Sequence, residues 1–107
     1  MTQEEQRPTT FDPGNYPALL EFLPAYWHED FGAEYRSAAE AIAALVSDAS
    51  GDQIRNVREE WRALRQAFAG QPLHNFQNAL VAFGAAWFPA SEEELREVDE
   101  ILGRAEA

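Results

Sequence analysis

The sequence predicts an all-α fold, a compact bundle of about five short helices forming a single domain, and three observations predict it. Apolar residues recur at spacings of three and four along most of the chain, which is the helical period, and no segment alternates as a strand would. The spacing Ser-x-x-Glu/Gln, in which two side chains each satisfy an otherwise unpaired backbone group at a helix start, occurs at Ser37, Ser50 and Ser91. The length of 107 residues suffices for one domain with a real core and leaves no room for a second.

Taken in order, residues 1–14 lack periodicity and read as a flexible N-terminal tail ahead of a helical domain over 15–107. Asp12-Pro13-Gly14-Asn15 is turn chemistry, with Asn15 as the expected N-cap before Tyr16-Pro17. In the first helix Leu19, Leu20, Phe22, Leu23, Tyr26 and Trp27 share one broad face. Pro24 removes a hydrogen bond to the Leu20 carbonyl and crowds that turn, so a break near Leu23 is expected, with Ala25 to Phe31 as a second segment and Gly32 as its left-handed stop.

Ser37 opens the next helix, where Ala38, Ala41, Ile42, Leu45 and Val46 follow the period to about Ala49 and the alanines invite a close neighbour. Ser50 opens the cleanest amphipathic helix: Ile54, Val57, Trp61, Leu64 and Phe68 form the stripe, and Arg55, Arg58, Glu59, Arg62 and Arg65 lie opposite, Glu59 and Arg62 being spaced as a surface pair. Gly70-Gln71-Pro72 ends it. A short helix with Phe76, Leu80, Val81, Ala82 and Phe83 stops at Gly84, and Trp87-Phe88-Pro89 makes an aromatic corner. The last helix starts at Ser91, docks through Leu95, Val98, Ile101 and Leu102, and frays from Gly103.

Charge narrows the function. Nineteen acids face eight bases, every one arginine, for a net charge of −11, which makes nucleic acid a poor partner. Residues 51–70 are the exception, four arginines against three acids. Such an imbalance serves either solubility and internal ion pairing or an acidic surface that steers a basic protein partner. Without cysteine there are no disulfides, thiolate metal sites or Cys nucleophile. The polar, acidic start lacks the basic and apolar regions of a secretory signal, so the expected location is cytoplasmic.

His28-Glu29-Asp30 is the one place that invites an enzymatic or metal-binding reading. Adjacent helical residues point about 100° apart and do not converge as the i, i+4 histidines of a zinc helix do, and His74 lies far off in sequence. Gly-rich phosphate loops and nucleophile elbows are also missing. The expectation is therefore a non-enzyme without cofactor or metal.

The string Tyr16 to Phe31, YPALLEFLPAYWHEDF, followed by Tyr35 and the helix capped at Ser37, resembles the CdiI family of contact-dependent growth inhibition immunity proteins. Tyr26, His28 and Asp30 match the family's aromatic-x-His-Gln-Asp-Trp run, while Glu29 replaces its glutamine, Phe31 its tryptophan, and Pro24 falls where a small residue is usual. The likeness continues more loosely through Trp61, Leu64, Gly84 and Trp87-Phe88, to about residue 102. It implies a small bacterial cytoplasmic protein that binds and neutralises the toxin domain paired with it; many such toxins are nucleases with basic surfaces. On that reading the partner-binding residues are Trp27, His28, Glu29, Asp30, Phe31 and Glu34, the acids supplying charged contacts and Trp27 and Phe31 the aromatic anchors. The rival patch is the C-terminal helix with Glu92, Glu93, Glu94, Glu97, Asp99 and Glu100. The alternative function is a non-catalytic helical adaptor or homo-oligomeric assembly subunit working through Trp87 and Phe88.

Overall fold

The computed structural model describes residues 11–104, and among them every regular element is helical. After a 3-10 turn at Pro13–Asn15 come α1 (Pro17–Tyr26), α2 (Phe31–Glu34), α3 (Ala38–Asp48), α4 (Gly51–Ala67), α5 (Leu73–Ala82) and α6 (Glu92–Arg104). Five of the six have ten or more residues, in agreement with the predicted all-α bundle.

The longest helix, α4, sits at the centre. Its stripe is buried as its spacing requires, with Val57, Trp61 and Leu64 inside. Its start is a complete capping box: Ser50 Oγ accepts from the Gln53 amide at 3.2 Å and Gln53 Oε1 accepts from the Ser50 amide at 2.9 Å. At Ser37 and Ser91 the serine does the same for Glu40 and Glu94, but each glutamate reaches one residue further back, to the amides of Arg36 and Ala90. Helix α1 packs on α4, and α3 packs on α6, where Ala38 and Ala41 are buried and leave room for close approach.

Two long-range contacts hold these layers in register. Glu60 of α4 is half-buried, and its Oε1 accepts the amides of Ala18 and Leu19 at 2.8 and 3.0 Å. A carboxylate from another helix thus caps α1, where its charge also opposes the helix dipole. Asn15 was the expected cap; it ends the 3-10 turn instead, and Tyr16 occupies the cap position with no side-chain bond. On the other side Asp99 of α6 accepts from Trp61 Nε1 at 2.6 Å and from Arg65 Nε and Nη2 at 3.1 and 3.0 Å. Arg65 Nη2 also reaches Glu92 at 2.7 Å, and the guanidinium lies 5.5 Å from the Phe76 ring centre. Burial works against the Arg65 charge, but the hydrogen bonds to Asp99 and Glu92 outweigh it and hold its pKa above the ordinary arginine value.

An aromatic column runs through the core. Phe83, Phe11, Phe68, Phe76, Trp61, Trp27 and Trp87 follow one another with ring centres 4.5–6.0 Å apart, mostly edge to face. Phe11 is therefore part of the packed domain, and Asp12 caps the first turn through the Gly14 amide. The domain begins before Asn15, and residues 1–10 of the expected tail lie outside the described residues.

Several local expectations are corrected. Helix α1 runs through Pro24 without a break and ends at Tyr26, so no second segment spans Ala25 to Phe31. The helical bond that Pro24 cannot make is the one to the Leu20 carbonyl, and Leu20 lies on the exposed side of α1. Gly32 is inside α2 with an ordinary negative φ, and Gly103 is inside α6. Gly70 and Gly84 do have φ of +82° and +88° and stop α4 and α5 as glycine allows.

Candidate binding surface

The turn that follows α1 is built around Trp27. At φ −109° and ψ 50° this residue leaves helical geometry, yet its amide still donates to the Leu23 carbonyl at 2.7 Å. Its indole Nε1 donates to the Ala38 carbonyl at 3.1 Å, and its own carbonyl accepts from the Ala86 amide at 2.6 Å. One residue thus ties α1, α3 and the loop after α5 together, with its ring held against Trp61 and Trp87. It has no exposed surface, so Trp27 is not the partner anchor expected of it. The helix end swings it inward, and its hydrogen bonds are spent inside.

His28 fixes the next step. Its Nδ1 accepts from the Asp30 amide at 3.0 Å, so in the neutral ring the proton sits on Nε2, which faces Glu34 Oε1 at 3.3 Å. The His28 carbonyl accepts from the Phe31 amide, and the Asp30 carbonyl from that of Ala33, so a tight turn passes straight into α2. His28 and Glu34 are brought together and, like Trp27, shape the turn. Glu29 and Asp30 are exposed, and the Asp30 carboxylate makes no cap bond. Phe31 is half-buried beneath them, packed on the core. Tyr26, just before the turn, donates from Oη to Asp48 at 3.1 Å; burial, then the Asp48 carboxylate, raises its pKa above the ordinary tyrosine value.

Beside the turn lies a cleft of about 410 Å³ whose walls include Phe31, Arg36, Trp87, Glu94 and Glu97. It joins Phe31 and Gly32 to α6: Glu94 and Glu97 of the C-terminal acidic patch line it, whereas Glu29, Asp30 and Glu34 of the turn's patch do not. The two patches are not equal in free charge. Glu92 and Asp99 are committed to Arg65, and Glu94 to the Ala90 amide, which leaves Glu93, Glu97 and Glu100 as the exposed acids of α6 outside those bonds. The aromatic corner also divides, Trp87 being 7% exposed and Phe88 55%.

The sequence did not single out Glu60, and it placed Asp99 in an acidic patch when its carboxylate is given to Trp61 and Arg65. Only their place on the helix edge nearest a buried stripe could have flagged them, since each serves a group more than thirty residues away. Among the described residues no group of three or more histidines and carboxylates is placed to hold a metal ion, and no helix is long and apolar enough to cross a membrane. No known protein family, curated protein or solved structure matches the chain.

Proposed function

We propose that this chain is an immunity-type inhibitor, a cytoplasmic protein that binds and neutralises the toxin domain of a contact-dependent growth inhibition system. The observation that carries the reading is the geometry of the Tyr26–Glu34 turn. Tyr26, His28 and Asp30, which match the family run, stand with Trp27 in a hydrogen-bonded turn that leaves the Glu29 and Asp30 carboxylates in solvent. An exposed acidic turn suits a partner with a basic, substrate-binding face, because it attracts that face over long range. Glu29, Asp30 and Glu34 are the charged contacts in this proposal, with Phe31 as their apolar floor. The protein acts by occupying a surface and not by catalysis.

The test is calorimetric titration with the toxin domain encoded beside this chain, at low and moderate salt. Tight one-to-one binding that weakens with salt is expected, and Glu29→Lys with Asp30→Lys slows association about tenfold or more. Failure to bind that domain overturns the reading. The exposed Phe88 favours a second reading, a homo-oligomeric or adaptor role through the corner after α5. A concentration-dependent oligomer in sedimentation, abolished by Phe88→Ser, would select it.

A further inference from the structure

His28 meets its surroundings through both ring nitrogens, and the two contacts respond in opposite ways to a proton. Nδ1 accepts from the Asp30 amide at 3.0 Å, which only an unprotonated nitrogen can do, and Nε2 lies 3.3 Å from Glu34 Oε1. The neutral ring serves both, with its one proton on Nε2. A second proton has one place to go, the Nδ1 lone pair that holds the Asp30 amide. Protonation therefore sets one N–H against another and breaks that bond, while the contact of Nε2–H with the Glu34 carboxylate becomes an ion pair. Turning the ring over does not restore the bond, because a half-turn about Cβ–Cγ puts a C–H where Nδ1 stood. The His28 side chain is 35% exposed, so a proton reaches it with the domain folded.

We propose that His28 is a pH-operated latch on the turn between α1 and α2: the neutral imidazole closes it by holding the Asp30 amide, and protonation opens it. The opening is local. The Phe31 amide keeps the His28 carbonyl, the Ala33 amide keeps that of Asp30, and Trp27 keeps its bonds to Leu23, Ala38 and Ala86, so α2 and the core stand while the Glu29–Asp30 peptide is released. The charged groups at the ring are Glu34 of α2, which faces Nε2, and Glu29 and Asp30 of the turn itself. On α1 the neighbouring titratable group is Tyr26, whose hydroxyl is given to Asp48 of α3, and the nearest base along the chain is Arg36, two residues past Glu34. The stretch from Gly84 to Ala90, which meets the turn through Ala86, carries no titratable side chain. The bearing of the latch on a partner rests on the inhibitor reading: Glu29 and Asp30, the contacts proposed there, are held by the neutral ring and loosened by the protonated one.

The test is an NMR titration of the isolated, 15N-labelled full chain from about pH 8 to about pH 5, the range through which imidazoles titrate, so its outcome is independent of whether a toxin domain binds. At the alkaline end the ring nitrogens of His28 show the Nε2–H tautomer and the Asp30 amide is slowed in exchange. As the ring titrates, the Asp30 amide signal moves upfield with the same midpoint, and its exchange, corrected for the intrinsic effect of pH, quickens by about tenfold. The Ala33 amide and the Trp27 indole N–H stay in place. His28→Asn separates the latch from the fold: an asparagine carbonyl accepts from the amide two residues on, as in an Asx turn, but takes no proton, so the Asp30 amide stays slowed throughout. His74→Gln removes the other histidine and leaves the transition where it was. An Nδ1–H tautomer at the alkaline end, an Asp30 amide that ignores the His28 titration, the same transition in His28→Asn, or its loss in His74→Gln each overturns the proposal.

Discussion

Removing the Asp99 carboxylate is expected to cost far more than a surface substitution. In Asp99→Ala the Trp61 indole N–H, on a side chain belonging to a residue only 3% exposed, loses the acceptor it meets at 2.6 Å. A buried donor left without a partner costs about 1–3 kcal/mol. Arg65 loses a two-nitrogen contact but keeps Glu92 at 2.7 Å and the Phe76 ring, and the Asp99 side chain is 36% exposed, so screening holds this second loss to about 1 kcal/mol. Together these give about 2–4 kcal/mol, a large share of the stability of a domain this size. Urea unfolding followed by tryptophan emission measures it, and in thermal unfolding Tm falls by at least about 8 °C. The same substitution in a Trp61→Phe background has no indole to orphan and costs only about 1 kcal/mol. Equal costs in the two backgrounds, or a loss below about 0.5 kcal/mol in the first, would refute the account.

Glu60→Ala strips the Ala18 and Leu19 amides of their acceptor and destabilises by about 1–2 kcal/mol in urea, and Glu60→Gln, which keeps an oxygen but not the charge, by less. Gly84→Ala places a Cβ at φ +88°, costing about 1–2 kcal/mol although the nearest atom, Pro24 Cβ, is at an ordinary 3.5 Å; Gly32→Ala, helical and with open space around it, stabilises by under about 1 kcal/mol. Tyr26 gives the alkaline behaviour its sign. Its folded pKa is raised, so its contribution to stability is fully present below the unfolded value of about 10 and is lost as pH rises through the folded one. Phenolate absorbance should show one tyrosine ionising late, and Asp48→Asn should bring it earlier.

What the sequence could disclose depended on how far away the deciding partner lay. Ser50, Gly70 and Gly84 act on neighbours within four residues, and their readings agree with the structure. The α4 stripe was legible because burial of Val57, Trp61 and Leu64 follows from periodicity alone. The cap of α1 was not, because the carboxylate serving it comes from Glu60, more than forty residues on, while nearby Asn15 offers the chemistry but not the geometry. Trp27 was misplaced for the same reason. Its neighbours His28, Glu29 and Asp30 made it look like a rim residue, whereas the Ala38 carbonyl, the Ala86 amide and two distant tryptophans decide its position. Pro24 misled in the opposite way: the local cost is real, but it falls in the last turn, two residues before the helix end at Tyr26, and does not divide α1.

Within the string Tyr26 to Phe31 the residues divide by what they touch. Tyr26 holds Asp48, Trp27 holds three segments of backbone, and His28 holds the Asp30 amide and Glu34, so substituting any of them disturbs the corner itself. A loss of binding in Trp27→Ala would report on the fold. Glu29 and Asp30 contribute exposed carboxylates and no cap bond, so their reversal changes the field at the surface while the turn beneath them stands. Glu34 belongs to both groups, and Glu34→Gln is its informative variant, since the amide oxygen can still accept from His28 Nε2 after the charge has gone. If association slows in Glu34→Gln with no change in Tm, that carboxylate acts on the partner; if Tm falls with it, its role is to hold His28.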